Sequence, residues 1–141
     1  NAESFSGVSI SGWDVSNVEK MNSMFNKASK FIGDISKWNV SKVINMRDMF
    51  RESSFNGDIS RWNVSNVKDM NGMFAHASSF NSDISRWDIS KVTCTYSMFY
   101  GVKSFTHDIS KWNMNHCDST EMYGSGCTIP EKHQAKNRDS W

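Results

Sequence analysis

Trp62-Asn63-Val64-Ser65-Asn66-Val67-Lys68-Asp69-Met70-Asn71-Gly72-Met73-Phe74-Ala75-His76-Ala77-Ser78-Ser79-Phe80-Asn81-Ser82-Asp83-Ile84-Ser85-Arg86 is one complete unit of this chain, and Trp87 starts the same pattern again. Trp13, Trp38, Trp62, Trp87 and Trp112 recur at intervals of 24 or 25 residues and carry most of the 141 residues with them. A period of about 20–50 residues marks an array in which each unit hides its apolar face only against its neighbours. Most apolar residues are therefore committed to holding units together.

Within the quoted unit, the Trp62–Val64 alternation with a β-branched residue predicts a short strand. The spacing of Val67, Met70, Met73, Phe74, Ala77 and Phe80 predicts a short helix, with Ser65 as its N-cap and Ser16, Ser41 and Ser90 in the same role elsewhere. The expected fold class is thus an α/β solenoid, a leucine-rich-repeat-like stack of strand-plus-short-helix rungs with a parallel β ribbon, its strands ~4.8 Å apart. An N-terminal cap is expected over 1–12, and repeats over 13–37, 38–61, 62–86 and 87–111. A partial rung, cap and tail are expected over 112–141. Each rung would bury one Trp, two Phe, two Met, one Ile and two Val, the aromatics hiding ~150–250 Å² each. The methionines and aromatics accordingly read as core and not as a cofactor site.

The string D-I-S-x-W-[DN]-V-S-x-V-x-x-M-x-x-M-F-x-x-A-x-x-F-N-x-D begins here at Asp34–Ser41, at Asp58–Ser65 and at Asp83–Ser90. It resembles the BspA-like branch of leucine-rich repeats and, more closely, the mycoplasma surface-lipoprotein repeat. The resemblance covers roughly residues 5–114. It implies a leucine-rich-repeat-like solenoid associated with surface adhesion and protein binding, and it brings no catalytic residues. The chain departs from the pattern at Ser9, between Phe50 and Phe55, and in the fourth unit, where Thr95 replaces the methionine found at Met21, Met46 and Met70.

A fixed period stacks equivalent surface residues into ladders. Lys37, Arg61, Arg86 and Lys111 form a basic one, and Asp34, Asp58, Asp83 and Asp108 an acidic one. One carboxylate per rung is too few oxygens for calcium, and turn capping is the expected role of the acidic ladder. A flat regular face raises ice binding, but charged Lys and Arg on it oppose that reading. The sequons Asn39-Val40-Ser41 and Asn63-Val64-Ser65 fall out of the repeat and read as structural. The fourth unit is the better contact: Thr93, Tyr96 and Tyr100 replace the polar residues of earlier units. With the basic ladder and Trp141 of the tail they form the expected partner-binding set.

Sixteen basic and fifteen acidic residues give a net charge of +1, which offers no footprint for nucleic acid or an anionic membrane. No apolar run approaches the ~18 residues of a membrane span. The chain lacks an initiator methionine and a signal-peptide pattern, so it is expected to begin after processing or as a fragment. Cys117 and Cys127, ten residues apart, are the expected disulfide, with Cys94 left over; such a staple suits an oxidising, exported or organelle-lumen compartment. The Cys117, Cys127, His116 and His133 spacing matches no zinc pattern, so no metal or cofactor is expected. Nothing pairs a nucleophile with a base, and a repeated surface lacks the asymmetry of a catalytic site. Two readings stay open. One is a non-catalytic protein-binding subunit of a larger assembly, reaching a membrane only through a partner. The other is a secreted or cell-surface adhesin fragment.

Overall fold

The computed structural model describes residues 9–117 and 121–136. The expected strand-plus-helix rungs and parallel ribbon do not form. Among the described residues, helix is confined to a 3-10 turn at Glu131–His133. Parallel pairing is reduced to isolated bridges that join Lys20, Asn45, Asp69 and Cys94, one residue per coil. Each repeat is instead a closed coil of tight turns, stacked on the next.

Two turns share one design. In the first, the amide of Trp38 closes on the carbonyl of Ile35 at 3.1 Å, and Trp62 and Trp87 close on Ile59 and Ile84 likewise. In the second, Val43 closes on Val40 and Val67 on Val64, each at 2.9 Å. An Asx-turn precedes each: Asp58 Oδ1 accepts the Ser60 amide and hydroxyl at 2.9 and 2.6 Å, and Asn63 Oδ1 accepts the Ser65 amide and hydroxyl at 3.1 and 2.7 Å. D-I-S-x-W and N-V-S-x-V are therefore one turn-forming device used twice. Ser65 bonds backward to Asn63 and does not cap a helix.

The segment with helical spacing is a chain of three β-turns. Met24, Asn26 and Ala28 close on Met21, Ser23 and Phe25 at 3.3, 3.2 and 3.1 Å. The intervening amides of Met21, Ser23, Phe25 and Lys27 point out of the coil. They bond the carbonyls of Asn45, Arg47, Met49 and Arg51 in the next coil at 2.8–2.9 Å. Ser23 and Lys27, third in their turns, have φ of 57° and 59°, as type II turns require. Asp48, Glu52, Gly72, His76, Ser97 and Gly101 repeat that geometry. The apolar residues Met21 and Met24, Phe25 and Ala28, and Ala28 and Phe31 are the first and fourth residues of turns, so their three-residue spacing imitates a helix. The distinguishing signal lies in these two left-handed positions. They carry only Ser, Asp, Gly, Lys, Glu or His, and never a β-branched or large apolar residue.

Side chains fill the coils in columns. Phe25, Phe50, Phe74, Phe99 and Tyr123 stack at 5.6–6.0 Å, and Phe31, Phe55, Phe80 and Phe105 run beside them. Trp38, Trp62, Trp87 and Trp112 are each 4 % exposed. Their indole N–H groups bond the carbonyls of Ile10, Ile35, Ile59 and Ile84 in the preceding coil at 3.0–3.2 Å. The carbonyl of Ile35 thus takes two donors, the Trp38 amide and the Trp62 indole. Trp13, in the first described coil, is 47 % exposed and stacks on Trp38 at 6.3 Å.

The segment after Trp112 contributes more than a ragged cap. Cys117 closes a turn on Met114, Tyr123 extends the phenylalanine column, Thr128 bonds Val102 and Lys103, and the Ile109 amide reaches His133. The Tyr123 hydroxyl donates to the Ala135 carbonyl at 3.1 Å, and burial pushes its pKa well above the ordinary phenol value. The expected Cys117–Cys127 disulfide is absent. Cys117 is turned inward in the Val43–Val67–Val92 column, its sulfur 3.0 Å from Thr95 Oγ1, while Cys127 lies half-buried in a later turn. The inference of an oxidising compartment rested on that bridge and loses its support. The 1–12 cap and Trp141 fall wholly or partly outside the described residues.

Stability should respond in two ways. Trp87→Ala should cost about 3–5 kcal/mol, because it opens a cavity and strands half of a carbonyl's bonding, whereas Trp13→Ala should cost less than half of that; denaturant titration of the two variants measures the contrast. The second response concerns acid. Hydrogen bonds from the following serine hold the carboxyls of Asp34, Asp58, Asp83 and Asp108 below the ordinary 3.8. A depressed folded-state value means stability that is complete above about pH 4 and lost as pH falls through the folded values. Replacing Asp58 and Asp83 with Asn keeps the acceptor, as Asn39 and Asn63 demonstrate. It should flatten the fall of Tm below about pH 4 and change Tm little at neutral pH.

Candidate functional site

The turn-built coil gives each repeat position a fixed place on the surface. Lys37, Arg61, Arg86 and Lys111 are the third residues of the Ile–Trp turns and all are exposed. Beside them, Asp34, Asp58, Asp83 and Asp108 each spend one carboxylate oxygen on their own Asx-turn. Ser36, Lys37, Asp58 and Arg61 share a shallow depression of ≈ 200 Å³. This edge is regular and its charges alternate, so it offers no feature that distinguishes one coil from another.

A larger groove, ≈ 470 Å³, opens on the face made by the three linked turns. Arg47, Asp48 and Arg51 of the second coil form one wall. Asn71, Gly72, Ala75 and His76 of the third coil form the floor. Tyr96, Ser97 and Tyr100 of the fourth form the other wall. The side chains come mainly from two columns four residues apart, one reading Asn22, Arg47, Asn71, Tyr96 and the other Asn26, Arg51, Ala75, Tyr100. These are the second residues of the type II turns, which point outward and so escape the core's demand for a fixed residue. The hollow exists because the third coil places small residues there, between long ones.

Local geometry holds the groove in shape. Gly72 has φ of 60°, and a Cβ there would run into the Asp48 carboxylate, which lies across it. Gly101 takes the His76 ring in the same way, and Gly124 the Tyr100 ring. Asp48 draws both arginines together, with Arg47 Nε at 3.5 Å from one oxygen and Arg51 Nη1 at 3.5 Å from the other. Arg51 also bonds Glu52 through Nε at 3.4 Å. Both guanidiniums stay accessible, their side chains 58 % and 40 % exposed. Opposite them, the Asn71 amide oxygen takes the Tyr96 N–H at 2.8 Å, and Tyr100 meets His76 edge to face at 5.0 Å. Tyr96 itself is 62 % exposed. Such an arrangement can supply forked hydrogen bonds to an anion at one end and an aromatic platform at the other.

Of the residues expected to meet a partner, Tyr96 and Tyr100 line this groove. Thr93 lies next to it, in a smaller hollow of ≈ 240 Å³ shared with Cys94, Thr95 and Glu121. The basic ladder lines a different depression, and Trp141 lies outside the described residues. Arg47, Arg51, Gly72 and His76 were missed, although their i,i+4 spacing sets each pair on one face even in a helix. The signal that finds them is variation inside the chain's own repeats, which these positions share with the columns of Lys68 and Asp69. Among the described residues no helix is long and apolar enough to cross a membrane.

No curated protein and no solved structure matches this chain. A protein family described as "Mycoplasma protein of unknown function, DUF285" matches over residues 1–54 and again over 51–136. The two matches, each taking in about two coils or more, span nearly the whole chain, and the chain belongs to that family.

Proposed function

We propose that this chain is a non-catalytic protein-binding module, a structural or scaffolding subunit of a larger assembly, and that the groove between Arg47 and Tyr96 is its contact face. The observation that carries this reading is the coincidence of two features. The groove of ≈ 470 Å³ is lined by positions that vary among the repeats, and its wall holds the exposed Tyr96. Tyrosine and arginine are the side chains most enriched among residues that dominate interfaces. A site made of repeated turns, with no nucleophile set against a base, supports binding over chemistry. Any membrane association would then run through the partner.

The second reading is a secreted or cell-surface adhesin. Its support is the mycoplasma-type family together with the resemblance of the D-I-S-x-W and M-x-x-M-F strings to BspA-like surface repeats. In that setting the same face would meet a host or neighbouring-cell protein.

A photo-crosslinking residue placed at Tyr96 in the full chain, within its native cells, should give a discrete protein adduct, whereas the same residue at Arg86 should not. Adducts from position 86 alone would move the contact to the basic ladder. Absence of adducts from both positions, with the chain folded, would remove the protein-binding reading.

A further inference from the structure

We infer that the groove takes an extended partner segment bearing a carboxylate at one end and an aromatic or large aliphatic side chain about three residues away. The inference rests on the reading of this groove as the contact face and names the chemistry it selects. Arg47 and Arg51 belong to the second coil and Tyr96 and Tyr100 to the fourth, so the two recognition elements stand two coil spacings apart. At ~4.8 Å per hydrogen-bonded spacing that separation is ~10 Å, the reach of about three extended residues.

Charge sets the polarity of the segment. Asp48 holds the two guanidiniums side by side with single contacts of 3.5 Å, longer than a charge-assisted bond of full strength. Most of their N–H groups are left for a second acceptor. Glu52 occupies one edge of Arg51, so Arg47, the more exposed of the pair, is the principal anchor. At the far end, among the described residues, the lining is Tyr96, Ser97 and Tyr100, with Glu121 in the adjoining hollow, and the exposed ring of Tyr96 can pack against an apolar side chain. Between the two ends, the small Ala75 keeps the floor low, while the Asp48 carboxylate lies across Gly72.

The test uses the full chain and a fluorescent peptide, acetyl-Gly-Glu-Ser-Pro-Phe-Gly-amide, with Glu→Gln and Phe→Gly versions as controls. Saturable binding that weakens about tenfold or more in each control peptide, and about tenfold in Arg47→Gln and in Tyr96→Ala, is the expected result. Lys30→Gln, an exposed charge outside the groove, serves as the charge control and should leave affinity within about twofold. Unchanged melting of each variant confirms that it folds; should Arg47→Gln fail to fold, Arg51→Gln replaces it. Equal affinity for the Glu and Gln peptides, or loss of binding in Arg86→Gln and not in Arg47→Gln, overturns the inference. So does binding of a sulfated oligosaccharide of matching charge with none of the peptide. If position 96 crosslinks to a protein while the peptide fails to bind, the contact face stands and only its assigned chemistry falls.

Discussion

Everything in this molecule depends on how one coil's amides are divided. In the linked-turn segment, every second N–H closes a turn inside its own coil, and the remainder bond the carbonyls of the next coil. An α-helix in the same place would spend its N–H groups beyond the first turn internally, leaving few to join the repeats. The alternating division satisfies buried backbone groups in both directions at once, where each unpaired one would cost about 1–3 kcal/mol. The left-handed residues take part in this division: the amides of Ser23 and Lys27 bond the next coil, and those of Met24 and Ala28, which follow them, close their turns.

Packing then reinforces what the backbone begins. Outward amides fix the register between coils, and that register places phenylalanine over phenylalanine and each indole N–H under the isoleucine carbonyl of the preceding coil. Polar side chains add links at the rim: Ser54 and Ser104 hydroxyls bond the carbonyls of Ser29 and Ser78, and Lys42 and Lys91 reach Asn17 and Asn66. Nearly every residue of the repeat therefore has a structural duty. Among the positions with the least such duty are the second residues of the type II turns, and that is where the arginines, the tyrosines and the groove are found. A binding face on such a scaffold is confined to positions the stack does not need.

The glycines show how the face was shaped without disturbing the stack. Gly72 and Gly101 each sit beneath a long side chain of the coil before them, Asp48 and His76. They occupy left-handed positions that already favour glycine, so exchange of a larger residue for glycine there costs little conformationally, and Asp48 and His76 fill the space that a Cβ would take. The same exchange at a core position would have left a void.

The sequence by itself determined the repeat, its length, the core inventory and the Asx-turns. Periodic identity and short-range donor–acceptor pairs such as Asp58 with Ser60 depend on neighbours only a few residues away. Tyr96 and Tyr100 were also legible, as breaks in an otherwise fixed code. What the tertiary structure decided was the form of the coil, because apolar spacing of three and four is common to a helix and to a run of β-turns. Only the contact with the next coil, which recruits alternate amides, separates the two. It likewise decided that Cys117 faces the valine column and stands apart from Cys127, and that Arg47 and Arg51 meet the tyrosines across Gly72. Residues two coils apart become neighbours only when the rise per coil and the outward direction of each side chain are fixed, and both are properties of the stack.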